Sequence, residues 1–399
     1  MLDGTNRDPD ENPSADAELG TAEQAIRCSP SGVPSNDPNC PWRTPWIQLE
    51  AANHIDISHR MAPALCANPT GGWLTVSVDA NSKYNVLQWH SLGVNSRSPS
   101  WSVYGATRTW NSKPACAIRE NFTRPQDGEV VGGFVVAGKL KSNDSNNNKL
   151  FASPGMLAPA FPLTENPTFQ SGFAVVDPRA QGPRSYTTGG LPGMSSVVDE
   201  AGAGSVLLAF MDDDLRTIHA HVHQLPYNDF PKWEERVSGP ALPTGWTAVG
   251  APSVTRMPVT FQIMVHAHNN ATGGDRLYET HFFSSGGVFH FSNEIGSPFP
   301  TWALRLNSGA IADDPWITYH PDMGTTAYFR RGTQIMQTGQ PFGTRPVLAV
   351  RPDTGIVFAS APAATGGVAF DQGTHIVTAR STSNHIFWIE SNNDAQLAP

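Results

Sequence analysis

The feature that most restricts this chain is a recurring pattern of short apolar, β-rich runs separated by turns. Residues 366–391, GGVAFDQGTHIVTARSTSNHIFWIES, show it in compact form. Val368, Ala369 and Phe370 make one short run, Gln372 and Gly373 a turn, and residues 376–379 a second run. A Ser/Thr/Asn break at 381–384 precedes a third run at 385–389. Runs of this length between Gly- and Asn-bearing turns predict an antiparallel meander.

The pattern recurs upstream as a short run, often opened by proline, followed by a longer β-rich run. Pro63, Pro114, Pro252, Pro315 and Pro346 each open such a pair, and residues 195–198 with 206–210 form another. A proline at the start of a strand removes no internal ladder bond. With the C-terminal stretch this makes seven unevenly spaced units. Third runs follow at 84–90, 149–152, 217–224, 276–283 and 334–337, and fourth runs at 100–104, 169–176, 232–237 and 288–292.

Four antiparallel strands per unit, repeated radially, is the plan of an all-β propeller. The last unit has no fourth run after Ser391, whereas residues 45–50, PWIQLE, form a strand at the other end of the chain. That strand is expected to close the ring and remove an exposed edge. Seven blades is the expectation; six follow if the two runs after Pro346 finish the Pro315 unit. A two-sheet sandwich is the alternative arrangement.

Composition agrees with a loop-rich β protein: 15% charged residues beside 36 Gly and 34 Pro. The net charge of -9, with no basic run, argues against a nucleic-acid partner. No apolar run reaches the roughly 18–20 residues of a membrane helix. Residues 1–44 are acidic, Pro/Asn/Ser-rich and expected to be disordered or extended, leaving 45–399 as the propeller domain. The first residues carry no apolar export signal, so the chain as written is expected to be a mature form with an added start Met. Of the four cysteines, Cys28 and Cys40 suit a local bridge. Cys66 and Cys116 sit in the first runs of neighbouring units and suit either a second disulfide or two buried thiols.

Ser77 and Asp79, with Trp89 further on, give a partial echo of the box Ser-x-Asp-x-Gly-x-x-Trp, without its glycine, and no Trp-Asp dipeptide occurs. On this architecture the chain resembles secreted bacterial propeller lectins and sialidase-like propellers. Residues 18–26, ELGTAEQAI, are similar to the segment that follows the signal in secreted proteins of predatory soil and marine bacteria. Both resemblances imply a secreted, extracellular protein.

Several residue sets carry candidate chemistry. His219, His221 and His223 alternate along one run and so share a face, and His266 and His268 repeat the spacing in the next unit. His-x-His on a strand presents two imidazoles to one zinc or copper ion; the alternative is a blade surface lined with hydrogen-bonding histidines. Asp212, Asp213 and Asp214 crowd one turn, as a calcium site or as ordinary turn chemistry. Tryptophans spread over the units offer faces for sugar stacking, or packing between blades. For catalysis, Tyr319 and His320 end one short run and Arg330 and Arg331 the next, so that a tight hairpin is expected to unite them. Such a set neutralises a uronate and abstracts its proton. Asp199, Arg256, Asp313 and Asp314 are further polar candidates.

Together these features point to a secreted glycan-binding, lectin-like propeller. The alternative is a carbohydrate-active enzyme, a glycosidase or polysaccharide lyase, with one central site. Several similar sites would mark the lectin, and one site rich in Arg, His and Tyr the enzyme. In both cases the partner is a glycan or polysaccharide.

Overall fold

The structure is a computed structural model. It describes residues 42–53, 56–67, 72–90, 97–123, 130–143, 147–158, 163–169, 174–175, 192–198, 204–212, 214–224, 237–258, 260–285, 288–292, 302–307, 311–320, 324–342, 347–351, 355–366 and 375–391. The described elements are strands, arranged in six sheets. The first strand, β1 (Ile47–Gln48), belongs to the last sheet. Blade I holds β2 (Ala64–Ala67), β3 (Trp73–Val78), β4 (Tyr84–Trp89) and β5 (Ser102–Tyr104). Blade II holds β6 (Thr109–Trp110), β7 (Ala115–Thr123), β8 (Val130–Lys141), β9 (Leu150–Met156), β10 (Thr168–Phe169) and β11 (Ala174–Val175).

Blade III comprises β12 (Pro192–Val198), β13 (Gly204–Met211), β14 (Thr217–Gln224) and β15 (Val237–Ala241). Blade IV comprises β16 (Trp246–Ala248), β17 (Ser253–Arg256), β18 (Phe261–Asn269), β19 (Gly274–Ser285), β20 (Val288–Phe291) and β21 (Ala303–Asn307). Blade V is β22 (Trp316–His320), β23 (Gly324–Arg331), β24 (Gln334–Gly339) and β25 (Leu348–Ala349). Blade VI is β26 (Ala363–Gly366), β27 (His375–Arg380) and β28 (Ile386–Glu390), completed by β1. The innermost strands β2, β7, β12, β17, β22 and β26 pack side by side, and β26 returns to β2. The fold is a six-bladed β-propeller.

The near-continuous apolar runs follow from this arrangement. Each blade is covered on both faces by its neighbours, so alternate residues of one strand enter different seams. Along β13, Val206, Leu208 and Phe210 pack with Val135 and Ala137 of blade II. Leu207, Ala209 and Met211 pack instead with Val254, Ile263 and Val265 of blade IV. Apolar clusters likewise fill the seams I/II, IV/V, V/VI and VI/I.

Ring closure by the N-terminal strand is borne out: Ile47 pairs with Trp388 and Gln48 with Phe387. The blade number is six, not the expected seven. Leu348 and Ala349 pair with Gln337 and Met336, so the run after Pro346 is the fourth strand of blade V. Residues 356–359 make no strand; Phe358 only bridges Ser381. The inner strand of blade VI is the alanine-rich β26, whereas the run at 368–370 lies outside the described residues. Alanine is a weak strand former, but crowding at the axis selects small side chains. Ala64, Ala115 and Ala363 are correspondingly buried there.

Cys66 of β2 and Cys116 of β7 form a disulfide, with Cα atoms 6.1 Å apart, that ties two neighbouring inner strands. Closing a loop of 50 residues is worth roughly 4 kcal/mol on chain entropy. The Cys28–Cys40 pair lies outside the described residues, as does everything before Trp42. Among the described residues no helix is long and apolar enough to cross a membrane.

Closure yields a direct prediction. A chain starting at Ala52 lacks β1 and the buried Trp42, Trp46, Leu49 and Ala51, all present in a chain starting at Trp42. Three large buried side chains are worth about 5–8 kcal/mol, so the shorter chain should melt far below the longer one in a calorimetric scan. Equal melting temperatures would contradict the closure.

Candidate functional site on the upper face

Inner strands start on one face of the ring, here called the upper face. Because neighbouring strands are antiparallel, the turns joining second and third strands lie on that face too. Lys113 and Asp314 each stand two residues before an inner strand, ahead of Pro114 and Pro315. The inner strands they precede, β7 and β22, are three places apart in the ring of six and so face each other across the axis. Lys113 Nζ reaches Asp314 Oδ2 at 2.5 Å, with side chains only 7% and 10% exposed. Asp314 Oδ1 also accepts the Ala251 N–H at 3.0 Å. A Cβ on Gly250 would lie 1.3 Å from that oxygen, so the approach requires glycine at 250. Trp316, the first residue of β22, is half-buried beneath this pair. It packs against the clusters of seams I/II, V/VI and VI/I, with the Lys113 ammonium 5.9 Å from its ring centre.

Charged groups continue outward over blades V and VI and the seam to blade I. Arg330 donates to Asp313 and to the Gly332 carbonyl. Burial lowers the Arg380 guanidinium below its ordinary value; nearby Asp313 opposes this and Arg330 adds to it. Beyond Arg380, Asp56 Oδ2 accepts His385 Nδ1 at 2.7 Å and Gln48 Nε2 at 3.0 Å. Burial would raise the Asp56 carboxyl, but His59, His385 and the Ile57 N–H together hold it below its ordinary value. His59 is fully buried, its Nε2 3.5 Å from Asp56 Oδ1 and its ring 5.1 Å from that of Trp101. Burial, the larger effect, keeps it below its ordinary value against the pull of Asp56.

The candidate histidines divide between seams. His219 and His221 lie opposite Phe210 and Leu208, facing blade II, and are buried. His223 shares their strand, but its side chain lies outside the described residues. His266 and His268 fall on the other side of their blade, with Met264, facing blade V. The two sets therefore share no site. His219 Nε2 meets Asp212 at 2.8 Å, and His266 and His268 both meet Asp275 Oδ1, at 3.0 and 2.8 Å. Among the described residues no group of three or more His, Cys, Asp or Glu side chains is arranged to hold a metal ion.

Asp214 caps its own turn, accepting the Arg216 and Thr217 N–H groups, as Asp79 does for Asn81 and Lys83. Asp199 and Asp213 lie outside the described residues. The expected union of Tyr319 and His320 with Arg330 and Arg331 is not made. Pairing sets Tyr319 opposite Thr325 and His320 opposite Gly324, at the lower end of blade V. Arg330 and Arg331 end the same strand at the upper face. Five residues of strand separate Thr325 from Arg330, about 17 Å. Arg256 also lies at the lower end, at the close of β17.

Sequence reasoning passed over Lys113, Asp56, His59 and His385. A Lys-Pro and an Asp-Pro at the starts of two inner strands were the available signal for the axial pair. No local signal joins Asp56 to His385, which lie 329 residues apart.

Two predictions follow from these charges. Asp314→Asn keeps an acceptor for Ala251 but strands the Lys113 ammonium, so urea unfolding should show a loss of about 3–5 kcal/mol. Adding Lys113→Met should recover most of it, and no recovery would show that the pair is not coupled. Buried His59 and half-buried His90, both depressed chiefly by burial, bind protons more readily when unfolded. Stability should therefore begin to fall as pH drops below about 6.5. The depressed Asp56, Asp275 and Glu279 contribute stability above their unfolded values, lost as pH falls below about 4. His59→Gln should shrink the first fall and leave the second; unchanged stability from about pH 8 to 5 would contradict it.

No protein-family model matches the chain, and no curated protein matches it in sequence. Among solved structures it is similar to the α-L-arabinanase of Penicillium chrysogenum complexed with arabinobiose, with TM-score 0.50 and 11% identity over 88% of this chain and 99% of that one. An endo-arabinase of Bacteroides thetaiotaomicron gives TM-score 0.36 and 12% identity over 76% and 96% of the two chains. A bifunctional GH43-CE protein of Bacteroides eggerthii gives 0.40 and 10% over 83% and 41%. At these identities the first likeness is one of fold, that of a propeller, and nothing rests on the other two.

Proposed function

We propose that the protein is a carbohydrate-active enzyme whose glycan lies across the upper face over blades V, VI and I. The observation that carries this reading is the group of ionic contacts that crosses the axis and the blade V/VI seam on that face. One sector holds the axial Lys113–Asp314 pair, the half-buried Trp316, the Asp313–Arg330 pair and Arg380. A lectin with repeated sites needs aromatic platforms in several blades. Eight of the ten tryptophans among the described residues are instead buried in the seams, leaving only Trp302 and Trp316 partly exposed. The arabinanase that shares the fold is complexed with arabinobiose, which supports a saccharide as the ligand class. The disulfide between Cys66 and Cys116 supports an exported, oxidising setting.

In this reading Arg330 binds substrate directly, while Lys113 and Asp314 fix the floor of the site. Tyr319 and His320, at the lower end, take no part. Incubation with a panel of neutral and acidic polysaccharides should release new chain ends. Arg330→Ala should lower kcat/KM at least about tenfold through loss of a charged hydrogen bond, with the melting temperature little changed. Saturable binding of several glycans per chain without any turnover would replace this reading with the lectin.

A further inference from the structure

At the ring-closing seam, residues 56–60 run between the upper turns of blades I and VI. The His59 N–H donates to the Asn384 carbonyl at 2.9 Å and the Arg60 N–H to that of Val78 at 2.7 Å. Asp56, carried by this segment, receives His385 Nδ1 at 2.7 Å. A carboxylate only accepts, so Nδ1 holds the proton and Nε2 is the basic nitrogen of His385. The His385 side chain is 38% exposed. An imidazole held through one nitrogen by a carboxylate is fixed in tautomer and orientation, as a general base requires.

His268, held by Asp275, is the comparable group in blade IV, but its carboxylate belongs to its own hairpin. Its neighbour Arg276 lies 4.5 Å from the Trp246 ring centre and bonds Tyr278, which leaves that cation engaged. The seam differs in the origin of its carboxylate. Asp56 reaches His385 from the far end of the chain, and it is backed on its other oxygen by buried His59, whose Nε2 lies 3.5 Å from Oδ1. Two guanidinium groups flank the seam. Arg60 is exposed and, among the described residues, its guanidinium donates through one nitrogen, to Ser82 at 2.5 Å; Arg380 is held in place by Asn384 Oδ1 at 2.7 Å and by the Ala359 and Ser381 carbonyls.

Asp56 is fully committed, to His385, Gln48 and the Ile57 N–H. Its bonds make Asp56 the partner of the imidazole, not one of the two free carboxyl groups that glycoside hydrolysis uses. A base beside guanidinium groups suits removal of a C–H proton next to a substrate carboxylate, whose charge the cations neutralise as it spreads. We propose that His385 is the general base of an elimination on a uronate-containing glycan, with Asp56 positioning it and Arg60 and Arg380 holding the uronate carboxylate. The proposal rests on the carbohydrate-active reading above and names its substrate class and reaction.

In the step, His385 Nε2 takes the proton from C5 of the uronate. The C–H electron pair becomes the C4–C5 double bond, and the bond from C4 to the glycosidic oxygen breaks. That oxygen takes a proton from solvent, His385 returns its own to solvent, and neither water nor an oxidant is consumed.

The test uses the full chain with polygalacturonate, alginate and, as a neutral probe, arabinan. Ultraviolet absorbance reports the unsaturated product and a reducing-end assay reports any cleavage. Unsaturated product from a polyuronate is expected, with a loss on the order of 100-fold or more in His385→Ala. That position is half-exposed, so the variant should retain its melting temperature. Asp56→Asn should lower kcat with KM little changed, and Asp56→Glu should restore part of the loss; a merely structural residue would show neither the split nor the rescue. Hydrolysis of arabinan unaffected by His385→Ala, with no unsaturated product, overturns this proposal and leaves the carbohydrate-active reading standing. Unsaturated product undiminished in His385→Ala overturns the assignment of the base. No turnover of any glycan overturns both.

Discussion

The molecule depends on one short antiparallel pairing, β1 against β28. In a stack of blades that each bury both faces, an open ring would expose two apolar surfaces at its ends. Leu49, Trp73, Trp89 and Trp388 all belong to the cluster of the closing seam. Two residues of ladder therefore decide the fate of a much larger buried surface. The same closure brings residues 56–60 against the last blade and so places Asp56 beside His385. Ring closure and the chemistry of the seam are one event.

The axis tells a related story. At the upper end of the axis, Trp316 lies with the Lys113–Asp314 pair, which spans inner strands on opposite sides of the ring. A buried ion pair is weak evidence for stability, since desolvation offsets most of its attraction. Its use here is positional: it joins opposite blades and fixes one orientation of the upper face. Over blades V, VI and I the charges join across blades, Asp313 to Arg330 beside Arg380 and Asp56 to His385, whereas in blades III and IV Asp212 and Asp275 pair within their own hairpins. That break in near-symmetry separates a single working surface from repeated equivalent sites.

Much of the fold was legible in the sequence, because blade strands buried on both faces leave continuous β-branched and aromatic runs. β3, β4, β14, β19, β27 and β28 fall where those runs lie. Ring closure was legible as well, from a missing strand at one end and a spare one at the other. The blade count was not, since β26 is built of alanines that strand propensity undervalues, while an apolar run at 356–359 forms no strand. At the site, the alternating histidines were conspicuous in sequence, yet β-register sends His219 and His266 into different seams. Tyr319 and Arg330 are near in sequence but stand at opposite ends of a strand. Asp56 and His385 are the reverse case, far apart in the chain and joined only by closure.

The central claim is that the working surface is the upper sector over blades V, VI and I. Amide hydrogen exchange of the full chain, with and without the glycan it acts on best, tests this most directly. The account predicts new protection at residues 56–60, 311–316 and 380–386, with little change in the upper turns of blades II, III and IV. Protection shared equally by the turns of all six blades, or confined to the lower ends of the inner strands, would contradict it.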